Sequence, residues 1–417
     1  MKYLNRTIEA KIERYFGSFP CVLVTGARQT GKSTLVEHVF GGRAKSFIFD
    51  PVQDLYGERS DPDLFLRNNP PPLILDEIQY VPELVPAIKR CVDRLRHPGC
   101  FVITGSQQWQ VMRRLSESLA GRVAVLELPG FSLGEGLGDP GHNWFAEWLT
   151  QAVKDHHRAD EVVMKCQGAR LSPAELVWRG SYPGIQPLAA DLLSGWMRGY
   201  ITTYLQRDVR LLLDVRDEAQ FGVFLGLCAA LTARECNWSQ MGRDVSVSTP
   251  TARKWTDALK GTFQWAEIPA FGNNQVKRLS QKPKGYLTDT GLACYLMRIS
   301  SPEALQGHPS FGALFETWVV MELIKQTQVL DTAPVFHHYR LHSGSEVDLV
   351  AELDGRAFPI EIKASSRVRA HDANGIVEFQ KRFGNMAGDG LVVYGGDQAM
   401  RLGERCTAIP FDARLPL

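Results

Sequence analysis

The sequence predicts a multidomain α/β chain: an N-terminal parallel sheet with flanking helices, a helical middle, and a C-terminal α/β domain. Three observations predict it. "CVLVTGARQTGKSTLVEHVF" places a short apolar strand, a glycine-bounded loop and a helix-compatible run in immediate succession. "PLILDEI" is a second apolar strand, ending in two carboxylates. "EVDLVAELDGRAFPIEIK" reads as two strands joined by Asp354-Gly355, the strongest short hairpin signal. At 417 residues the chain exceeds one ordinary core, so several domains are expected.

In the first of these stretches the spacing Gly26-x-x-x-x-Gly31-Lys32-Ser33 is that of a phosphate-binding loop. Backbone N–H groups of Gly26, Ala27, Arg28, Gln29, Thr30 and Gly31 are expected to turn in around phosphates, at the start of a helix that continues through Thr34. Lys32 reaches the β and γ phosphates of ATP, and the Ser33 hydroxyl ligates Mg2+. In "PLILDEI", Asp76 suits the magnesium shell and Glu77 suits orientation of the attacking water. "CFVITGSQ" is a third strand whose terminal Thr104, Ser106 and Gln107 read either as γ-phosphate sensors or as strand-end caps. "RRLSESLAGRV" supplies Arg113, Arg114 and Arg122, of which Arg122, beside Gly121, is the first choice for a transition-state arginine. It would act within its own chain or across a homo-oligomer interface.

Composition excludes some classes. With 44% hydrophobic and 22% charged residues the chain is neither disordered nor fibrous, and its net charge of +1 means that any nucleic-acid surface is a local patch. The eight cysteines form no CxxC pair and no zinc spacing, so they read as small buried hydrophobes in a reducing compartment. "MKYLNRTIEAKIERYF" has no apolar signal core, and no run approaches a membrane span, so the expectation is a cytoplasmic protein without a membrane partner.

In the middle, "GYITTYLQRDVRLLLDV" sets Tyr200, Tyr204, Arg207 and Arg210 at helical spacing, read as core packing with a charged outer stripe. Thr249 before Pro250 reads as an N-cap for a helix to about Leu259, the second of a helix-turn-helix pair, with Thr251, Arg253 and Lys254 at its exposed start. "FQWAEIPAF" then reads as a wing strand, and the unit reads either as a nucleic-acid contact or as a module that only packs.

The hairpin carries a conflict. If Asp354-Gly355 is the turn, Leu353 faces Arg356, Asp348 faces Glu361 and Glu346 faces Lys363. Opposed carboxylates repel, and a divalent Mg2+ or Mn2+ would resolve the repulsion. Upstream, Glu316 in "SFGALFETWVVMELIK" is a lone carboxylate on an apolar helix face, which calls for a partner.

"TGARQTGKST", "LILDEIQ", "ITGSQ", "LAGRV" and "LPGFSLGE" together resemble bacterial and archaeal AAA-type ATPases that carry a C-terminal domain of unknown function with a restriction-endonuclease-like core. The resemblance implies an ATPase domain at 1–135, a helical lid or connector at 136–215, a winged helix at 216–290 and a nuclease-like domain at 291–417. The C-terminal pattern of helix-Glu, strand-Asp and Glu-x-Lys resembles PD-(D/E)xK nucleases. It implies Glu316, Asp348 and Glu361 as metal ligands and Lys363 as the residue that positions or activates water, with Gln380 a weaker candidate. Two functions follow. One is an ATP-hydrolysing, DNA-acting protein whose nucleotide turnover controls a metal-dependent endonuclease-like domain. The other is a nucleotide-dependent binding module with an inactive nuclease fold.

Overall fold

The computed structural model describes residues 3–50, 52–106, 119–209, 218–272, 281–340 and 346–414. Gln107, Arg113, Arg114 and Arg210 lie outside them, as does the side chain of Arg207.

Strands β1 (Cys21–Thr25), β2 (Lys45–Ile48), β3 (Leu73–Asp76), β4 (Phe101–Gly105) and β5 (Val123–Glu127) form a parallel sheet in the order β2-β3-β4-β1-β5. The three central strands are buried at every residue, which is why they read as unbroken apolar runs rather than alternating ones. Leu23, Leu75 and Ile103 face one core, with Ile88, while Val22, Ile74 and Val102 face another, with Leu35 and Ile12. Because β4 separates β3 from β1, Asp76 reaches the loop's edge of the sheet one strand away, with Thr104 between.

Helices Trp144–Lys154, His156–Lys165, Pro173–Arg179 and Ala190–Thr203 and the two-residue β6 (Gln167–Gly168) follow. Tyr200 and Tyr204 are buried among them, as core packing requires. Next comes a helix (Glu218–Ala230), β7 (Arg234–Glu235), two helices (Trp238–Asp244 and Thr249–Gly261), β8 (Trp265–Ile268) and β9 (Lys284–Leu287). The three strands form an antiparallel sheet in the order β7-β9-β8. The helix start differs from the sequence expectation by one residue. Ser248, not Thr249, is the N-cap, its side chain accepting from the Thr251 amide, and the helix runs to Gly261. Lys254 is exposed at its start, whereas Arg253 lies over the Trp238 ring at 4.5 Å.

The last third begins with a long helix, Phe311–Gln326, packed on a mixed sheet. Its strands are β10 (Val335–Arg340), β11 (Glu346–Leu353), β12 (Arg356–Lys363), β13 (Gly390–Tyr394), β14 (Met400–Gly403) and β15 (Cys406–Pro410), in the order β10-β11-β12-β13-β15-β14. β16 (Ala413–Arg414) returns to pair with β6. Asp354 and Gly355 both have positive φ, 50° and 75°, and the β11–β12 register runs from Leu353 opposite Arg356 to Leu349 opposite Ile360, as the turn chemistry predicts. The Gln380 amide donates to the Gly388 and Arg405 carbonyls at 3.0 and 2.9 Å and ties a loop down. All eight cysteines are buried and unpaired. Among the described residues no helix is long and apolar enough to cross a membrane.

Candidate functional site

The loop after β1 needs its glycines for different reasons. Gly26 has φ +145°, and a Cβ there would sit 2.2 Å from the Leu128 carbonyl oxygen. Gly31, at φ +90°, caps the helix Lys32–Phe40 in the left-handed region. Lys32 is buried and folds back, its Nζ donating to the carbonyls of Gly26 at 3.0 Å and Ala27 at 2.7 Å. Ser33 and Thr34 are exposed toward a cleft of about 1100 Å³ that also takes in Arg28, Gln29, Gly31, Lys32 and Glu77. The Arg28 guanidinium donates to the Tyr80 hydroxyl at 2.9 Å, and the Thr30 hydroxyl closes the loop onto the Ala27 carbonyl at 3.0 Å.

At the same sheet edge, buried Asp76 accepts from the Thr104 hydroxyl. Thr104 in turn accepts from the Glu77 amide at 3.1 Å, and Gln79 donates to Glu77 and to Ser106. Thr104 and Ser106 thus link the two acidic residues to the neighbouring strand. Glu77 has φ 61°, a left-handed conformation that marks the strand end as constrained. Ser33 and Asp76 supply the hard oxygen donors that Mg2+ takes, so the residues present fit a nucleotide-bound magnesium.

Arg122 does not reach this edge. Its carbonyl accepts from the Cys21 amide at the opposite end of β1, and a five-residue strand is roughly 16 Å long. Its Nε donates to Asp93 at 2.6 Å. A role for Arg122 on its own chain's phosphates is therefore corrected by the topology.

The far wall of the cleft was not legible in the sequence. Tyr3 and Leu4, Phe131, Pro183, and Trp196 with Tyr200 from the helix Ala190–Thr203 close it. Beneath it, buried Arg6 donates to the Thr30 and Pro129 carbonyls, both at 2.8 Å, and lies 3.1 Å from buried Glu135. Glu135 also accepts from the Thr7 and Ser132 amides at 2.7 and 2.9 Å. No local spacing announces this clamp, which joins residues more than a hundred positions apart.

The C-terminal carboxylates meet a cation that the sequence reading missed. Lys284 of β9, 5% exposed, places its Nζ 2.6 Å from Glu316, 3.4 Å from Asp348 and 3.4 Å from Glu346. Tyr286, two residues on, donates to Glu316 at 2.8 Å. Asp348 does not simply oppose Glu361: the ladder opens after Leu349–Ile360, and the Asp348 carboxylate takes the Ile362 amide at 2.9 Å in place of a backbone acceptor. Glu361 accepts from Lys363 at 2.6 Å through Oε1, while its buried Oε2 has no hydrogen-bond partner among the described residues. Glu346, at the rim, also lies 3.8 Å from Arg340 rather than pairing with Lys363. Among the described residues no three of His, Cys, Asp or Glu converge as a metal site. Glu316 and Asp348 face the Lys284 ammonium instead.

Four carboxylates, Glu316, Glu346, Asp348 and Glu361, lie against the two ammonium groups of Lys284 and Lys363, so negative charge is in surplus. Burial first, then Asp348, pushes the Glu316 carboxyl from its ordinary 4.5 up to about 8, and the same two causes raise Glu361. Burial opposes the Lys284 charge, but Glu316, Asp348 and Glu346 outweigh it and keep Lys284 protonated. A carboxyl raised above its unfolded value stabilises the fold fully below that value, and the contribution is lost as pH rises toward about 8. Without divalent ions, Glu316→Gln is therefore expected to flatten the fall in melting temperature across that window. Unchanged pH dependence in parallel melting curves would remove Glu316 as its source.

Comparison with known families agrees with the first third of the chain. Residues 18–137 match the family model described as an AAA domain, residues 172–303 a domain of unknown function (DUF8612), and residues 311–413 a domain of unknown function (DUF4143). The uncharacterized proteins Rv2008c of Mycobacterium tuberculosis and Mb2031c of Mycobacterium bovis are each 29% identical over 413 residues, covering 98% of this chain and 84% of theirs. The Walker-type ATPase paby2304 of Pyrococcus abyssi aligns with 69% of this chain and 94% of its own, at 16% identity and a TM-score of 0.40. The AAA match over residues 18–137, with the P-loop spacing and the parallel five-stranded sheet, supports a P-loop ATPase domain there, a class that in general takes a nucleotide with Mg2+.

Proposed function

We propose that the chain is an ATP-hydrolysing switch acting on DNA, in which the nucleotide state of the P-loop cleft sets the state of the C-terminal carboxylate centre. In this reading Lys32 and the loop amides hold the phosphates, Ser33 and Asp76 hold Mg2+, and Glu77 orients water. Bound Mg2+ would neutralise charge that develops on the phosphates.

The observation that carries the coupling is strand β9. Its first and third residues, Lys284 and Tyr286, grip Glu316. Two residues past its last, Asp289 accepts from the Ser181 amide and hydroxyl at 2.7 and 2.9 Å. Ser181 precedes the cleft-lining Pro183 by two residues, and its carbonyl accepts from the amide of cleft-lining Phe131 at 2.7 Å. The long helix runs in parallel: Glu316 is in its second turn, and toward its C-terminal end Lys325 donates to the Phe131 carbonyl at 3.0 Å while Glu322 accepts from the Leu133 amide. A nucleotide that moves Phe131 thus acts on both supports of Glu316.

DNA as the substrate rests on the resemblance of the C-terminal pattern, on Lys363 beside Glu361, and on exposed Lys254 at the capped helix start, with the β7-β9-β8 sheet as its winged-helix frame. Homo-oligomerisation through the ATPase domain belongs to the same reading. The test is binding of single-stranded, duplex and branched DNA with and without ATP, alongside sedimentation. Affinity indifferent to nucleotide for all three DNAs would overturn the switch. A second reading, binding without cutting, is favoured by Lys284, which stands where a nuclease metal is expected.

A further inference from the structure

We infer that Trp196 is the stacking platform for the base of the bound nucleotide, and that the base it selects is a purine. The inference rests on reading the Gly26 to Ser33 loop as the triphosphate site, and adds the subsite that the loop leaves open. Lys32 and Ser33 account for the phosphates, yet the cleft of about 1100 Å³ continues to the helix Ala190–Thr203, which belongs to the helical middle and not to the parallel sheet. On that helix Gly195, Trp196 and Gly199 line the cleft, and a Cβ added at either glycine would meet nothing within 4 Å. The space beside the indole is therefore open.

The other aromatic side chains of the cleft are already engaged. Tyr3 stacks on His38 at 3.8 Å and its hydroxyl donates to Glu9 at 2.8 Å, while the Arg6 guanidinium lies 4.9 Å from the centre of the Phe131 ring. Buried Tyr200 accepts from Tyr182 and Gln264, both at 2.8 Å. Trp196 is half-buried and held in place by its neighbours. Tyr200 lies 5.5 Å away with 10° between the ring planes, Tyr182 lies at 5.5 Å, and a Cβ at Gly184 would come within 3.2 Å of the indole. An aromatic ring fixed in this way and lining a phosphate-binding cleft suits a flat, apolar-faced ligand group. The bicyclic indole overlaps a bicyclic purine more fully than a single pyrimidine ring, so stacking strength sets the preference. A base stacked there also ties the nucleotide to the helical middle.

Calorimetric titration of the full chain with ATP, CTP and inorganic tripolyphosphate, each with Mg2+, tests this, because tripolyphosphate carries the phosphates without a base. Trp196→Ala is expected to weaken ATP binding about fivefold or more, the least that loss of one aromatic stack costs, and to leave tripolyphosphate binding as in the wild type. Trp196→Phe should recover part of the loss. The wild type is expected to prefer ATP to CTP, and Trp196→Ala to lose that preference. Gly199→Leu keeps the test open should Trp196→Ala not fold, since its side chain enters open space on a helix whose propensity it raises. It too is expected to weaken ATP binding and spare tripolyphosphate. Equal ATP affinity in the wild type and both variants would overturn the inference while leaving the P-loop site standing. Equal losses of ATP and tripolyphosphate binding would make Trp196 a structural support and overturn it as well. No binding of either ligand to the wild type would remove the P-loop reading itself, and the platform with it.

Discussion

Lys32→Ala is expected to lower ATP turnover by about 10²-fold or more, the loss typical of removing one charge-stabilising donor from a phosphoryl or acyl transition state. Lys32 is the buried ammonium of the loop, its Nζ donating to the carbonyls of Gly26 and Ala27 inside the glycine-bounded turn that is expected to hold phosphate. Glu77→Gln is expected to lose turnover on the same scale yet keep nucleotide affinity, because Glu77 lines the cleft beside the loop rather than within it. Steady-state phosphate release with equilibrium binding of a fluorescent ATP analogue separates the two. Wild-type turnover by Lys32→Ala would remove the ATPase assignment of the loop, and lost affinity in Glu77→Gln would move that residue from water to nucleotide.

Arg6→Ala is expected to cost about 3–5 kcal/mol of stability, since it strands the Glu135 carboxylate in an interior where both side chains are about 5% exposed or less. The two amides on Glu135 offset part of that charge, which favours the lower end. Glu135→Gln in the same chain should recover part of the loss, as removing both charges avoids the unpaired one. Because Arg6 also holds the Thr30 carbonyl, nucleotide affinity should fall with stability. Urea melts of the single and double variants measure it. A loss within 0.5 kcal/mol, the range of ordinary surface substitutions, would show that the clamp carries no structural load.

What the sequence revealed was local. The strand, loop and helix around Lys32 and the Asp354-Gly355 hairpin are specified by neighbours within a few residues, and the register from Leu353 to Leu349 follows from turn chemistry alone. The same reasoning stopped at Asp348, where a side chain takes the place of a ladder acceptor. It then assigned the carboxylates a metal, because the opposing cation comes from Lys284, more than sixty positions before Asp348, with nothing in "QKPKGYL" to mark it. Arg6 and Trp196 were hidden for the same reason. The role of Arg122 within its own chain failed because adjacency to Gly121 says nothing about which end of a strand faces the loop.

Amide hydrogen exchange along β9 and through Asp289, in Glu77→Gln with and without ATP and Mg2+, tests the switch most directly. That variant should hold ATP without consuming it, so the bound state persists through labelling. The account predicts that ATP changes exchange at residues 284–289 as well as around the P-loop. Protection confined to the P-loop, with residues 284–289 exchanging identically in both states, would contradict it.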